Sequence, residues 1–141
     1  MSLLSVIVPC YNEEESVALF YQELTKNDPF FKEKEIELEL LYIDDGSKDG
    51  TVREVKKLIE QDSRVHIVSF SRNFGKEAAI FAGLAQACGD VVAVMDCDLQ
   101  HPPETLVEMY RLWEQGYEVI EGVKRSRGKE SILHRASAGM F

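Results

Sequence analysis

The sequence predicts an α/β domain, a mostly parallel central sheet with helices on both faces. Short runs rich in Val, Ile and Leu alternate with amphipathic segments of helical period. Several runs are apolar at nearly every position, the pattern of strands covered on both sides. With 141 residues and 45% hydrophobic content, the chain has the material for one such core and not for two.

The first strand is expected at Leu4–Val8, stopped by Pro9. A helix over 13–25 should follow, with acids in its first turn, Asn12 as its cap, and Val17, Phe20, Tyr21 and Leu24 along one face. Residues 28–36 are charged and aromatic without a clear period, which reads as a loop. The second strand is expected at Leu38–Ile43, followed by the turn-rich loop Asp44-Asp45-Gly46-Ser47-Lys48-Asp49-Gly50. A helix over 51–61 would bury Val52, Val55, Leu58 and Ile59, and a third strand would run over 65–70.

Residues 76–87 are apolar on nearly every side, so this helix is expected in the interior, with Gly83 permitting a close approach. The continuous apolar run Val91–Met95 suits a central strand covered on both faces. A helix over 103–115 should end at Gly116, a fifth strand should span 117–123, and residues 124–141 read as a basic segment of weak helical character. No repeat or linker divides the chain, so one unit over 1–141 is expected.

The formal charge is −9, from 16 Lys plus Arg against 25 Asp plus Glu, which argues against wrapping nucleic acid. The charge is unevenly spread, because five basic residues and only one acid fall between Lys124 and Arg135. Cys10, Cys88 and Cys97 show no metal-binding spacing and are expected to be reduced and buried. With no signal-peptide pattern and no apolar run long enough to span a membrane, the expectation is a soluble, intracellular chain.

In a parallel sheet the loops at the carboxyl ends of the strands meet on one edge, where ligands bind. Here those ends read Pro9-Cys10-Tyr11-Asn12-Glu13, Asp44-Asp45-Gly46-Ser47, Ser71-Arg72-Asn73-Phe74-Gly75-Lys76 and Asp96-Cys97-Asp98-Leu99-Gln100. Five carboxylates would crowd that edge, and acids packed together resist ionisation unless a cation or ordered donors neutralise them. In extended backbone Asp96 and Asp98 would point to opposite sides, with Gln100 on the side of Asp98. Oxygen donors of this kind suit Mg²⁺ or Mn²⁺. Taken singly, Asp96-x-Asp98 is more often a solvated turn than a metal site, and Asp44-Asp45-Gly46-Ser47 is more often a self-capped turn than a binding loop.

Taken together, these four stretches resemble glycosyltransferase family 2. The resemblance is strongest to the subgroup with dolichyl-phosphate mannose synthases and bacterial undecaprenyl-phosphate glycosyltransferases, and it extends over essentially the whole chain. It implies a GT-A fold, a nucleotide-sugar donor, with UDP-hexose the expected one, a divalent cation, Mg²⁺ or Mn²⁺, and a lipid-phosphate acceptor. Pro9, Tyr11, Asn12 and Glu13 would line the nucleoside pocket, and Asp44 with Asp45 would recognise the base. Asp96 would sit near the ribose and diphosphate, while Asp98 and Gln100, with Asp96, would hold the metal. Arg72 and Lys76 would flank the donor, and Arg125 and Arg127 would meet phosphate.

The implied reaction is transfer with inversion, in which Asp96 and Asp98 serve catalysis. Relatives continue beyond Phe141 with an acceptor-side segment that carries a carboxylate base and then often with membrane helices. The expectation is therefore the donor-binding part of a longer enzyme at the cytoplasmic face of a membrane, with self-association open. Three rivals fit less well. A phosphoacceptor receiver domain would place its acidic pair after the first strand, whereas here it follows the second. A nicotinamide-binding fold would need Gly-x-Gly-x-x-Gly where Pro9-Cys10-Tyr11-Asn12 stands. A nucleotide-binding module without catalysis would bind the donor and never turn over.

Overall fold

The computed structural model describes the backbone of residues 2–99, 102–124 and 131–138, and side chains up to residue 116. Four strands, β1 (Ser2–Cys10), β2 (Ile36–Asp44), β3 (Val65–Ser69) and β4 (Val91–Val94), form an all-parallel sheet in the order β3-β2-β1-β4. The helices are α1 (Val17–Thr25), α2 (Asp28–Glu33), α3 (Thr51–Gln61), α4 (Lys76–Gln86) and α5 (Thr105–Glu114). A separate antiparallel pair, β5 (Tyr117–Lys124) and β6 (Ser131–Ala138), follows. Strand β6 replaces the weak helix expected there.

β1 alternates strictly between two apolar layers. Leu4, Val6, Val8 and Cys10 face the larger core, which β2 completes with Leu38, Leu40 and Tyr42 and the helices complete with Phe20, Phe31, Val55 and Leu106. Ile7 faces the smaller core with Leu41, Ile43 and Ala79 of α4. The order reverses between β1 and β4, because the chain moves outward through β2 and β3 and then returns to the opposite side of β1. That reversal is where a doubly wound sheet opens a crevice.

β1 runs through Pro9 to Cys10, two residues beyond the expected stop. Ile7, two residues earlier, gives its carbonyl to the Met95 amide on the β4 side. Pro9 has the same parity, so its missing N–H faces the side where the paired register of β4 has ended.

Four expectations change. Helix α1 begins at Val17 behind Ser16, because residues 14–16 form a turn and Asn12 has a φ of +52° and caps nothing. Residues 28–33, expected as loop, form α2: Pro29 sits in its first turn, and Arg64 grips Asp28 through two parallel hydrogen bonds of 3.1 and 3.2 Å. Helix α4 buries only Ala79 and Gly83 and exposes Phe81 at 71% and Leu84 at 47%, so it lies on the surface. Strand β4 is an edge of the four-stranded sheet, with Val92 and Val94 39% and 44% exposed. Both of these last differences have one cause: α4 packs over β1 and β2 and leaves the same face of β4 uncovered among the described residues.

Gly83 does permit the expected approach. A Cβ there would lie 2.5 Å from Cγ2 of Ile7, which is fully buried and has no room to withdraw. Gly83→Val is expected to destabilise the fold by about 1–3 kcal/mol through overpacking, read as a lower urea midpoint at unchanged slope.

The turn between α3 and β3 is held by Asp62, which accepts from Arg64 Nε and Nη2 and from the Tyr21 hydroxyl at 2.6 Å. The hydrogen bonds from Arg64 hold the Asp62 carboxyl well below the usual carboxylate range, against the opposing effect of burial. A depressed folded-state pKa means stability that is present above the unfolded value of about 3.9 and is lost as pH falls. Asp62→Asn should therefore be less stable than the parent at neutral pH, and the gap should close below about pH 4 in urea titrations across that range.

Candidate functional site

The register of the sheet sets the site. Cys10 pairs with Asp44 and Asp44 pairs with Ser69, so three strands end level and their loops meet. A cleft of about 390 Å³ lies among them, lined by Tyr11, Asp44, Gly46, Ser47, Lys48, Val52, Arg72 and Asn73 with the end of β3.

Its floor is backbone against backbone. Gly46 has a φ of +75°, and a Cβ there would fall 2.3 Å from the carbonyl carbon of Arg72. Around this contact the loops exchange hydrogen bonds. The Asn12 amide donates to Ser47 Oγ at 2.8 Å, and Asn12 Oδ1 accepts from the Lys48 amide at 2.9 Å. The Glu13 amide donates to the buried Thr51 Oγ1 at 2.9 Å, and Asp49 accepts from the amides of Thr51 and Glu14. Asn12 thus joins two loops, and Asp49 orders the start of α3.

The two consecutive acids after β2 are both buried, at 1% and 5% exposure. Asp44 accepts from the Ser47 amide at 3.2 Å and the Ser69 hydroxyl at 3.1 Å, and it lines the cleft. Asp45 turns the other way. Its carboxylate accepts from the Phe74 amide at 2.7 Å, the Gly75 amide at 3.1 and 3.2 Å, and Asn73 Nδ2 at 3.1 Å. Arg72 lies over the exposed Phe74 ring, 5.2 Å from its centroid, and Tyr11 is 43% exposed at the cleft.

The remaining acids gather at the end of β4. The Glu13 carboxyl is raised above its ordinary value, first by burial and then by repulsion from Asp98, Asp49 and Asp96, with a hydrogen bond from Ser16 opposing. The same acids act on Cys97, whose thiol is pushed up to about 12, first by burial and then by Glu13, Asp98 and Asp96. Asp96 is paired with Lys76, Nζ to Oδ1 at 2.7 Å. The five strand-end acids therefore divide into the buried pair Asp44 and Asp45, of which Asp44 lines the cleft, and the mutually repelling Glu13, Asp96 and Asp98.

The backbone after β4 turns at Cys97 and Asp98, and Leu99 adopts a φ of +63°. The chain is not extended there, so the alternation expected for Asp96, Asp98 and Gln100 does not apply. Gln100, Arg125 and Arg127 lie outside the described residues. Among the described residues no three His, Cys, Asp or Glu side chains gather closely enough to hold a metal ion by themselves. Hard carboxylate oxygens that already repel one another are nevertheless the donors a Mg²⁺ or Mn²⁺ ion takes, with phosphate oxygens completing its shell. Lys48 and Asn73 line the cleft and were not singled out by sequence; their position in loops following β2 and β3 is the signal that could have found them.

A parallel sheet with a polar cleft at the carboxyl ends of its strands is the arrangement of an open α/β protein whose ligand site lies at that edge. The profile of glycosyl transferase family 2 matches residues 5–138, and the chain belongs to that family. It is 42% identical over 137 residues to the uncharacterized glycosyltransferase YkcC of Bacillus subtilis, covering 97% of this chain and 42% of that protein. It is 38% identical over 138 residues to the prophage bactoprenol glucosyl transferase homolog of Escherichia coli, covering 98% of this chain and 44% of that protein. The chain thus spans about two fifths of these relatives.

Among solved structures it is similar to the mannosyltransferase PcManGT of Pyrobaculum calidifontis in complex with GDP-Man and Mn²⁺. The TM-score is 0.73 at 28% identity, over 89% of this chain and 36% of that one. It is also similar to S. aureus TarS 1-349 in complex with UDP-GlcNAc, with a TM-score of 0.63 at 29% identity, over 80% of this chain and 31% of that one. The expected GT-A-like fold is what these neighbours share. No helix among the described residues is long and apolar enough to cross a membrane.

Cys88 is exposed, unlike Cys10 and Cys97, which corrects the expectation that all three are buried. Burial raises the Cys10 and Cys97 thiols, so both are unreactive as folded. A thiol-reactive chromophore should label one cysteine per native chain quickly, with Cys88→Ser removing that fast phase and the other two reacting only on unfolding.

Proposed function

We propose that this chain is the donor-binding part of an inverting glycosyltransferase that moves a hexose from a nucleotide sugar, UDP-hexose by preference, to a polyprenyl phosphate. The observation that carries the reading is a polar cleft at the carboxyl ends of the strands, with Tyr11, Asp44 and Arg72 in its lining, in a chain whose strand-end acids Glu13, Asp96 and Asp98 repel one another. The first suits a nucleoside and the second a diphosphate held through a cation.

In this reading Tyr11, Asn12 and Asp44 accommodate the nucleoside, supported by Pro9 and Glu13 behind them, and Asp96 approaches the ribose and diphosphate. Asp96, Asp98 and Gln100 hold a Mg²⁺ or Mn²⁺ ion, which supplies Lewis-acid stabilisation of the charge left on the departing diphosphate. Arg72 and Lys76 add positive charge at the donor, and Arg125 and Arg127 meet phosphate. A lipid phosphate is already ionised at neutral pH and needs positioning and charge compensation more than a base, whereas a saccharide hydroxyl would need one. The relatives named bactoprenol glucosyl transferases support the lipid acceptor and hence a place at a membrane surface, which in this reading is the cytoplasmic side. The Mn²⁺ complex of the mannosyltransferase neighbour supports the cation.

UDP is expected to raise the melting temperature more with Mn²⁺ or Mg²⁺ than with EDTA, and Asp98→Asn should remove most of the metal-dependent part. Equal metal-dependent stabilisation of parent and variant would overturn the metal assignment. GDP in place of UDP tests the base, and a larger shift with GDP would overturn the choice of uridine.

A further inference from the structure

Asp45 follows β2 and Lys76 opens α4, yet one short segment links them. The Asp45 carboxylate collects three donors from consecutive residues, Asn73 Nδ2 and the amides of Phe74 and Gly75, while its own carbonyl accepts a further bond from Asn73 Nδ2 at 3.3 Å. Gly75 is the residue immediately before α4 and has a φ of +105°. Lys76 is the first residue of α4, and its ammonium meets Asp96 at 2.7 Å across the end of β4.

A side chain that is 59% exposed, on a long flexible stem, gains little from an exposed ion pair. Its pairing depends on where its backbone is held, and among the described contacts Asp45 is the only side chain hydrogen-bonded to residues 73–75. The carboxylate is buried, its donors come from three consecutive residues, and that segment leads directly into the helix carrying Lys76. A buried carboxylate with three donors is costly to disturb, since replacing one oxygen by an amide NH₂ sets donor against donor.

We infer that Asp45 is a positioning residue: by holding the Asn73–Gly75 turn, it fixes the start of α4 so that Lys76 neutralises Asp96 at the edge of the acidic group. The cleft floor and the acids of β4 are then mechanically joined through one loop, because Gly46, next to Asp45, abuts the backbone of Arg72 and Asn73. The ion pair and its support are properties of the chain itself. Only their consequence for a bound diphosphate rests on the function proposed above.

The test reads Lys76 directly and needs neither nucleotide nor metal. The folded chain is treated with limiting acetic anhydride, and modification of Lys76 is measured by peptide mass spectrometry against the exposed Lys56 as internal reference. Asp96→Asn should speed Lys76 modification by about two- to fivefold, the scale an exposed ion pair sets. Asp45→Asn, which contacts neither lysine, should produce a similar rise, and the double variant should be no faster than Asp96→Asn alone, because both changes break one linkage.

A parent-like rate in Asp45→Asn beside a faster one in Asp96→Asn would overturn the inference, as would additive effects or an unchanged rate in Asp96→Asn. Circular dichroism checks that each variant is folded. Should Asp45→Asn fail that check, Asn73→Ala removes one donor and leaves the carboxylate, and a smaller rise in the same direction is expected; no rise overturns the inference. Failure of UDP to bind would defeat the proposed function and leave this comparison intact.

Discussion

Two neighbouring carboxylates buried at the end of β2 govern how the site is assembled. Asp44 and Asp45 are removed from water at a point where the backbone ladder is ending, and burial of a charge is tolerated only when donors replace the lost solvent. Those donors are drawn from elsewhere: the Ser47 amide and the Ser69 hydroxyl for Asp44, the Asn73–Gly75 turn for Asp45. Satisfying the two charges therefore pulls the loops after β2 and β3 together and shapes the cleft between them.

A second constraint acts from β1. Its central place lets both faces be packed by one alternating run, and level pairing with β2 brings Asn12 and Glu13 beside Ser47 and Thr51. The acids at β4 arrive on the other flank, where repulsion among Glu13, Asp96 and Asp98 is offset at one point by Lys76. Donor-lined cleft and acidic flank are consequences of the same strand order.

The sequence made the alternating architecture legible because strand periodicity and helix periodicity are local signals. The span of α3 matched because Val52, Val55, Leu58 and Ile59 form one stripe, and Gly116 closed α5 as expected for a residue at a φ of +106°. What depended on distant partners was not legible. Residues 28–33 become helical because Arg64, far along the chain, holds Asp28. Asn12 has the chemistry of a cap, but the loop carrying Ser47 and Lys48 competes for it and prevails. The apolar runs of α4 and β4 report composition correctly and coverage incorrectly, since periodicity does not say which neighbour lies above a strand. In the same way, the strand-end acids could be named from sequence, while their division into two groups required knowing which way Asp45 turns.

The backbone contact at Gly46 has a consequence for how such a cleft can change. Where two main chains touch with no room for a methyl group, the floor has no side chain to exchange, and its shape is common property of the two loops. Substitution can reshape the cleft through the side chains that line it, Tyr11, Lys48 and Arg72 among them, while the backbone contact at Gly46 stays as it is. A main-chain contact beside replaceable side chains lets recognition change without separating the loops.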